Sequence, residues 1–197
     1  MYRRFGKRAA DVLLAALLLL ALAPVLAGVA LAVLVTLGRP VLFRQVRAGR
    51  GGVPFVLLKF RTLRDGPGED ARRMTRTGRL LRRFALDELP QLVNVLRGEM
   101  SLVGPRPLPP HYVPLFAPRQ ALRLAVRPGL AGLAQSAGRN AVGWAARFEL
   151  DARYAEAPPR AARDLALLVR CALLALSGRG AAAPGHATMP EFRGEQL

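Results

Sequence analysis

Residues 12–37 carry no charged side chain, and a proline stands near their middle at Pro24. No other feature constrains the fold as strongly, because so long an apolar run must be kept out of water. As one straight helix, at ~1.5 Å per residue, it would reach about 39 Å, enough for a hydrocarbon core of roughly 30 Å. Pro24 removes a backbone hydrogen bond and favours a kink, leaving halves of about 18–20 Å that are each too short to span. The flanks are equally basic: Arg3, Arg4, Lys7 and Arg8 precede the run, and Arg39, Arg44, Arg47 and Arg50 follow it. Charge asymmetry orients membrane segments, so two matched flanks favour the same side and a helix that enters and returns. Proline is tolerated in spanning helices too, so re-entrant and spanning arrangements both remain open on these grounds.

A chain of 197 residues suits one domain plus an appendage, and its formal charge is +17. Of the 30 basic residues, all but Lys7 and Lys59 are arginine, a drift that makes any single arginine weak evidence of function. The positive balance calls for an anionic partner. Aromatic residues make up only 6% and no nucleic-acid motif is present, so acidic membrane lipid and phosphorylated ligands are favoured and nucleic acid is not. Cys171, the lone cysteine, fits a reducing compartment, and His111 and His186 stand too far apart for zinc-ligand spacing. Gly49-Arg50-Gly51-Gly52 reads as a turn; no phosphate loop or dinucleotide fingerprint occurs.

The stretch from Leu86 to Gly98 concentrates the chemistry. Asp87 and Glu88 open an expected amphipathic helix on which Leu89, Leu92, Val93 and Leu96 share one face, with Pro90 in its first turn and Gly98 as its C-cap. Arg76, Arg79, Arg82 and Arg83 lie upstream, and Gly104-Pro105-Arg106-Pro107 follows. Acidic residues in a first turn commonly just complement the helix dipole. Set among so much positive charge, they also suit a phosphorylated substrate and a divalent metal.

Elsewhere, Val41–Val46 and Pro54–Arg61 are expected to form a hairpin, residues 71–84 a basic helix, and 118–126 a short helix. Gly98–Pro110 reads as irregular and Gly129–Gly143 as a glycine-rich loop, with a helix from there through Tyr154. Residues 160–177 form an amphipathic helix whose stripe of Leu165, Leu168, Val169, Ala172, Leu173 and Leu176 suits either the core or an anionic lipid surface.

Several of these segments, in this order, resemble the bacterial sugar transferases, the small monotopic phosphoglycosyl transferases. The resemblance rests on Lys7-Arg8 with Asp11, Lys59-Phe60-Arg61-Thr62, Leu86-Asp87-Glu88-Leu89-Pro90-Gln91-Leu92 and Ser101-Leu102-Val103-Gly104-Pro105-Arg106-Pro107-Leu108. It continues through Arg127-Pro128-Gly129, Ala134-Gln135, Gly138-Arg139-Asn140, Trp144 and Phe148-Glu149-Leu150-Asp151, covering nearly the whole chain.

The resemblance implies an α/β, mainly helical, monotopic membrane protein. A basic N-terminus and re-entrant membrane helix (1–38, with Arg8, Asp11 and Pro24) would precede a cytoplasmic catalytic domain (39–197) with a short β-hairpin and surface amphipathic helices, at the cytoplasmic face of the bacterial inner membrane. It implies transfer of a sugar 1-phosphate from a UDP-sugar to undecaprenyl phosphate, releasing UMP. Asp87 would be the nucleophile and a ligand of Mg²⁺, with Glu88 assisting its proton and metal handling. Lys59, Arg82 and Arg106 would bind phosphate, and Arg139 and Asn140 would lie in the nucleotide-sugar region. Lys59 read alone suits a solvated strand residue equally, and Gly138-Arg139-Asn140 a plain turn. The tail Gly185–Phe192 resembles members that use UDP-N,N′-diacetylbacillosamine or related amino sugars. Self-association into a homo-oligomer stays open, and a scaffold that kept the fold without catalysis is the alternative. The sequence departs from the family pattern at Ala23, Ala85 and Leu133, where serine, serine and tryptophan are usual.

Overall fold

The computed structural model describes residues 6–181, 189 and 191–194. The apolar run folds as two helices, α1 (Lys7–Ala21) and α2 (Ala23–Leu37), bent by 63° at the break between them. Pro24 sits in the first turn of α2, where its missing N–H leaves no gap inside a helix. No single helix among the described residues is long and apolar enough to cross a membrane; the bent pair meets that test only jointly. Its outer side is bare of protein, with Leu13, Leu17, Leu20, Leu31 and Val35 all exposed.

The two arms are anchored separately. Ala15 of α1 is fully buried against Leu92 and Val95, while Val29 and Val33 of α2 pack with Phe60 and Leu81. Arg8 donates to the carbonyls of Val95 and Leu96, and buried Asp11 accepts from the Leu102 N–H at 3.0 Å. Arg8 and Asp11, expected as features of the membrane segment, therefore dock α1 onto the rest of the protein.

The expected hairpin is present as β1 (Leu42–Ala48) and β2 (Pro54–Phe60), antiparallel, with Phe43 opposite Lys59 and Arg47 opposite Phe55. Side chains alternate across a strand, so Phe43, Gln45, Arg47 and Lys59 share one face. The free edge of β2 is met by a side chain. Asn94, completely buried, accepts from Leu58 N–H at 3.1 Å and donates to Val56 O at 2.7 Å and to Glu99 Oε2 at 2.6 Å.

Four expectations are corrected. The basic segment 71–84 is two helices, α3 (Asp70–Arg73) and α4 (Arg76–Arg83), because Thr75 is extended and caps α4 by accepting from Gly78 N–H. The helix after the acidic pair is only α5 (Gln91–Arg97), since Leu86–Glu88 form a separate 3-10 turn and Pro90 is the N-cap. Its buried face is consequently Gln91, Leu92, Asn94 and Val95, with Leu96 exposed, while Gly98 closes it at φ 85° as expected. The irregular and glycine-rich segments hold two short strands, β3 (Ser101–Val103) and β4 (Gly129–Ala131), which pair in parallel. A β-carbon on Gly129 would lie 2.0 Å from the Gly104 nitrogen, so this close approach requires glycine.

The remaining helices are α6 (Pro118–Ala121), α7 (Leu133–Ser136), α8 (Trp144–Glu156) and α9 (Ala161–Leu176). On α9 most of the apolar stripe faces outward: Leu165, Val169, Leu173 and Leu176 are exposed, Leu168 packs against the core, and the buried residues are Asp164 and Leu167. A second core joins Leu108, Tyr112, Trp144, Phe148 and Phe192. Of the tail, Met189 and Phe192 pack at this core, whereas 185–188 and 190 lie outside the described residues.

Removing the side-chain amide in Asn94→Ala strands a buried N–H and C=O of β2. At ~1 kcal/mol or more per lost bond, stability is expected to fall by about 3 kcal/mol, read as an earlier unfolding midpoint; a shift below ~0.5 kcal/mol would refute the edge-pairing role.

Candidate active site

Helix α4 ends at Phe84, and Ala85 follows in the left-handed region at φ 55°. A residue in this conformation commonly terminates a helix and turns the chain back, although for alanine it costs about 1 kcal/mol. The reversal throws Leu86–Glu88 into their 3-10 turn against β2 and brings both acids to a cavity of about 570 Å³. Lys59, Arg82, Arg106, Arg139 and Asn140 line the same cavity, so every expected catalytic and substrate-binding residue is gathered in one place.

The two carboxylates have opposite environments. Glu88 is clamped: Lys59 Nζ donates to Oε1 at 3.0 Å, while Arg106 donates Nη1 to Oε2 at 3.0 Å and Nη2 to Oε1. Burial alone would raise its pKa, but Arg106 and Lys59 outweigh it and hold the group far below the ordinary carboxylate range. Arg106 is shifted upward chiefly by Glu88, and Lys59 downward because burial outweighs that attraction.

Asp87, 5% exposed, has no hydrogen bond or ion pair at contact distance among the described residues. Burial pushes its pKa up and the Glu88 charge adds to this, while Lys59, Arg82 and Arg106 pull it down without prevailing. A desolvated carboxylate, unpaired and ringed by cations, is a competent nucleophile toward phosphorus.

The cations are held by distinct means. Arg82 Nε donates to Thr62 Oγ1 at 2.9 Å. The carbonyl of Arg106 accepts from Arg123, which is itself ion-paired with buried Asp151 at 2.9 Å. The Arg139 guanidinium donates to the carbonyls of Arg82, Arg83 and Arg179, and Asn140 Nδ2 donates to Ala181 O, so both tether their loop as they border the cavity. Pro24, Arg8 and Asp11 are not among the cavity residues.

Sequence reasoning missed Arg47 and Arg147, which also line the cavity. Burial lowers each to a pKa of about 10, with repulsion from Arg106 adding to the effect. Arginine abundance hid both; the place of Arg47 on the Lys59 face of the hairpin was the available signal.

No group of three His, Cys, Asp or Glu among the described residues is arranged to hold a metal. Asp87 still suits Mg²⁺, which is often bound by one or two carboxylates plus substrate phosphates, because its carboxylate is the one not already paired.

The family model described as bacterial sugar transferase matches residues 2–178. The chain belongs to the bacterial sugar transferase family. It is 46% identical over 164 residues to the uncharacterized sugar transferase EpsL of Bacillus subtilis, covering 80% of this chain and 81% of that protein. It is 50% identical over 145 residues to the UDP-glucose:undecaprenyl-phosphate glucose-1-phosphate transferase of Caulobacter vibrioides, covering 67% of this chain and 54% of the relative. The exopolysaccharide production protein ExoY of Sinorhizobium fredii is 38% identical over 174 residues, 77% of each chain.

The raised pKa of Asp87 means that folding disfavours its ionised form, so neutralising it should stabilise the protein. Asp87→Asn is expected to melt above the parent at pH 7, an advantage that shrinks as pH falls through the folded pKa and is gone near the unfolded value of about 3.9. Melting curves from pH 4 to 8 check this, and a destabilised variant at pH 7 would contradict it.

Proposed function

We propose that this sugar transferase moves a sugar 1-phosphate from a UDP-sugar to undecaprenyl phosphate, through a covalent intermediate on Asp87, with release of UMP. The observation that carries the reading is the contrast within the acidic pair: Glu88 fixed by two cations, Asp87 left unpaired beside them. An Asp87 oxygen attacks the sugar-proximal phosphorus. The bond from that phosphorus to the bridging oxygen breaks, and its electron pair leaves with UMP. The polyprenyl phosphate then attacks the same phosphorus and returns the carboxylate.

Lys59, Arg82 and Arg106 draw charge from the transferring phosphoryl oxygens, and Glu88 acts as the fixed anion that aims two of them. Mg²⁺, held by Asp87 and the donor phosphates, would supply further charge neutralisation. Asp87, Glu88 and Arg106 are all intact, with Arg106 held on Glu88 beside Asp87, which speaks against a scaffold without catalysis.

For the donor sugar, the tail resemblance favours N,N′-diacetylbacillosamine or a related N-acetylated amino sugar, and the Caulobacter relative's name offers glucose. UMP release from a panel of these UDP-sugars, with undecaprenyl phosphate and Mg²⁺, tests the reading. One donor should give turnover that Asp87→Asn reduces by at least about 10³-fold and Glu88→Gln cripples. Turnover retained by Asp87→Asn would overturn the nucleophile.

The bent helix pair, its matched basic flanks and the outward stripe of α9 support a re-entrant seat on the cytoplasmic face of the inner membrane, with anionic lipid beneath α9. Cysteines at positions 3 and 44, in a Cys171→Ala background, should label from the cytoplasmic side alone. Labelling from opposite sides would establish a broken span instead.

A further inference from the structure

Arg47 lines the cavity with no carboxylate at ion-pair distance among the described residues. Its Nη2 donates to Gln45 Oε1 at 2.5 Å and its Nη1 makes a long contact of 3.4 Å with Pro107 O. Its Nε is buried with no partner among the described residues. A guanidinium offers five N–H donors, so most of this one is uncommitted, and a desolvated cation without a counter-ion is costly unless a ligand supplies the charge.

Its position narrows the ligand. Lys59 and Arg106 both grip Glu88, the neighbour of Asp87. Arg47 shares the hairpin face of Lys59, four residues along β1 from the Phe43–Lys59 pair, and its Nη1 reaches the carbonyl of Pro107, the residue after Arg106, which places it beside Arg106 and away from the Lys59 end of the cavity. A diphosphate donor with one phosphorus at Asp87 has Arg106 and then Arg47 along the same cavity to meet its second phosphate.

We propose that Arg47, aimed by Gln45, binds the phosphate of the departing nucleotide. The inference rests on the nucleotide-sugar reading of the same cavity. When the bridging bond breaks, the electron pair moves to the departing phosphate, which changes from a diphosphate-linked group into a more highly charged monoester. A cation not already neutralised by an acid gains most from that change, so Arg47 acts more strongly in the transition state than in the ground state.

Trp144, the sole tryptophan, borders the same cavity, so its emission reports binding in the intact chain. UMP, uridine and a short polyprenyl phosphate are titrated against the wild type and Arg47→Gln, with exposed Arg119→Gln as control. Arg47→Gln should weaken UMP at least tenfold, leave uridine and the polyprenyl phosphate unchanged, and lower kcat/KM for the donor by about 10²-fold. Arg47→Lys, which keeps the charge and loses the fork, should fall between and serves if the glutamine variant does not fold.

UMP affinity unchanged in Arg47→Gln, an equal loss for uridine, or a loss confined to the polyprenyl phosphate would each overturn the assignment. Release of UMP from UDP-sugar by the wild type judges the nucleotide-sugar reading separately. A wild type active in that assay, with UMP affinity insensitive to Arg47, would remove this inference and leave the function standing. A wild type that neither releases nor binds UMP would remove both.

Discussion

Glu88 held between Lys59 and Arg106 is the interaction on which the site depends. It joins three pieces of chain remote in sequence: strand β2, the 3-10 turn after α4 and the loop that follows β3. Removing one partner of a buried ion pair leaves an uncompensated charge, typically a loss of 3–5 kcal/mol, so the three pieces hold or fail together. The clamp also divides the labour of two adjacent acids. By absorbing the nearest cations into direct contacts, Glu88 leaves Asp87 unpaired while their field still reaches it.

The segment Lys59-Phe60-Arg61-Thr62 extends this organisation toward the bent helices. Lys59 reaches Glu88, Phe60 packs beneath α2, and Thr62 Oγ1 accepts from Arg82. Buried Arg61 donates to the carbonyls of Leu37, Gly38 and Arg39, gathering the acceptors left open where α2 ends, and pairs with Asp65. Four consecutive residues thus tie the cavity cations and the C-terminal end of α2 to one stretch of chain, which fixes the distance between the apolar surface and Asp87.

Much of this was legible in the sequence wherever a physical signal ran over enough residues. The hairpin around the Gly49–Gly52 turn and the bend at Pro24 in the long uncharged run both formed as expected. The short parallel pair did not show, because three residues such as Gly129–Ala131 are too few for a period to register, and the constraint there is backbone contact between Gly104 and Gly129. The face of α5 was displaced because Ala85 adopts a left-handed conformation that nothing about alanine announces. Resemblance named the acids and four of the cations, yet only the geometry distinguishes the clamped acid from the unpaired one. Arg139 and Asn140 were found at the cavity, with the polar groups described above spent on backbone carbonyls. The tail offered as a clue to the sugar falls largely outside the described residues.

The central claim is that Asp87 takes up the phosphosugar. Intact-mass and fragment-ion measurement of the wild-type chain, incubated with its UDP-sugar and Mg²⁺ but no lipid acceptor, reads this directly. The account predicts one sugar phosphate per chain on the peptide containing Asp87, accompanied by one equivalent of UMP and discharged on adding undecaprenyl phosphate. An enzyme that turns over with lipid yet forms no adduct and releases no UMP without it would transfer directly, and the account would be wrong.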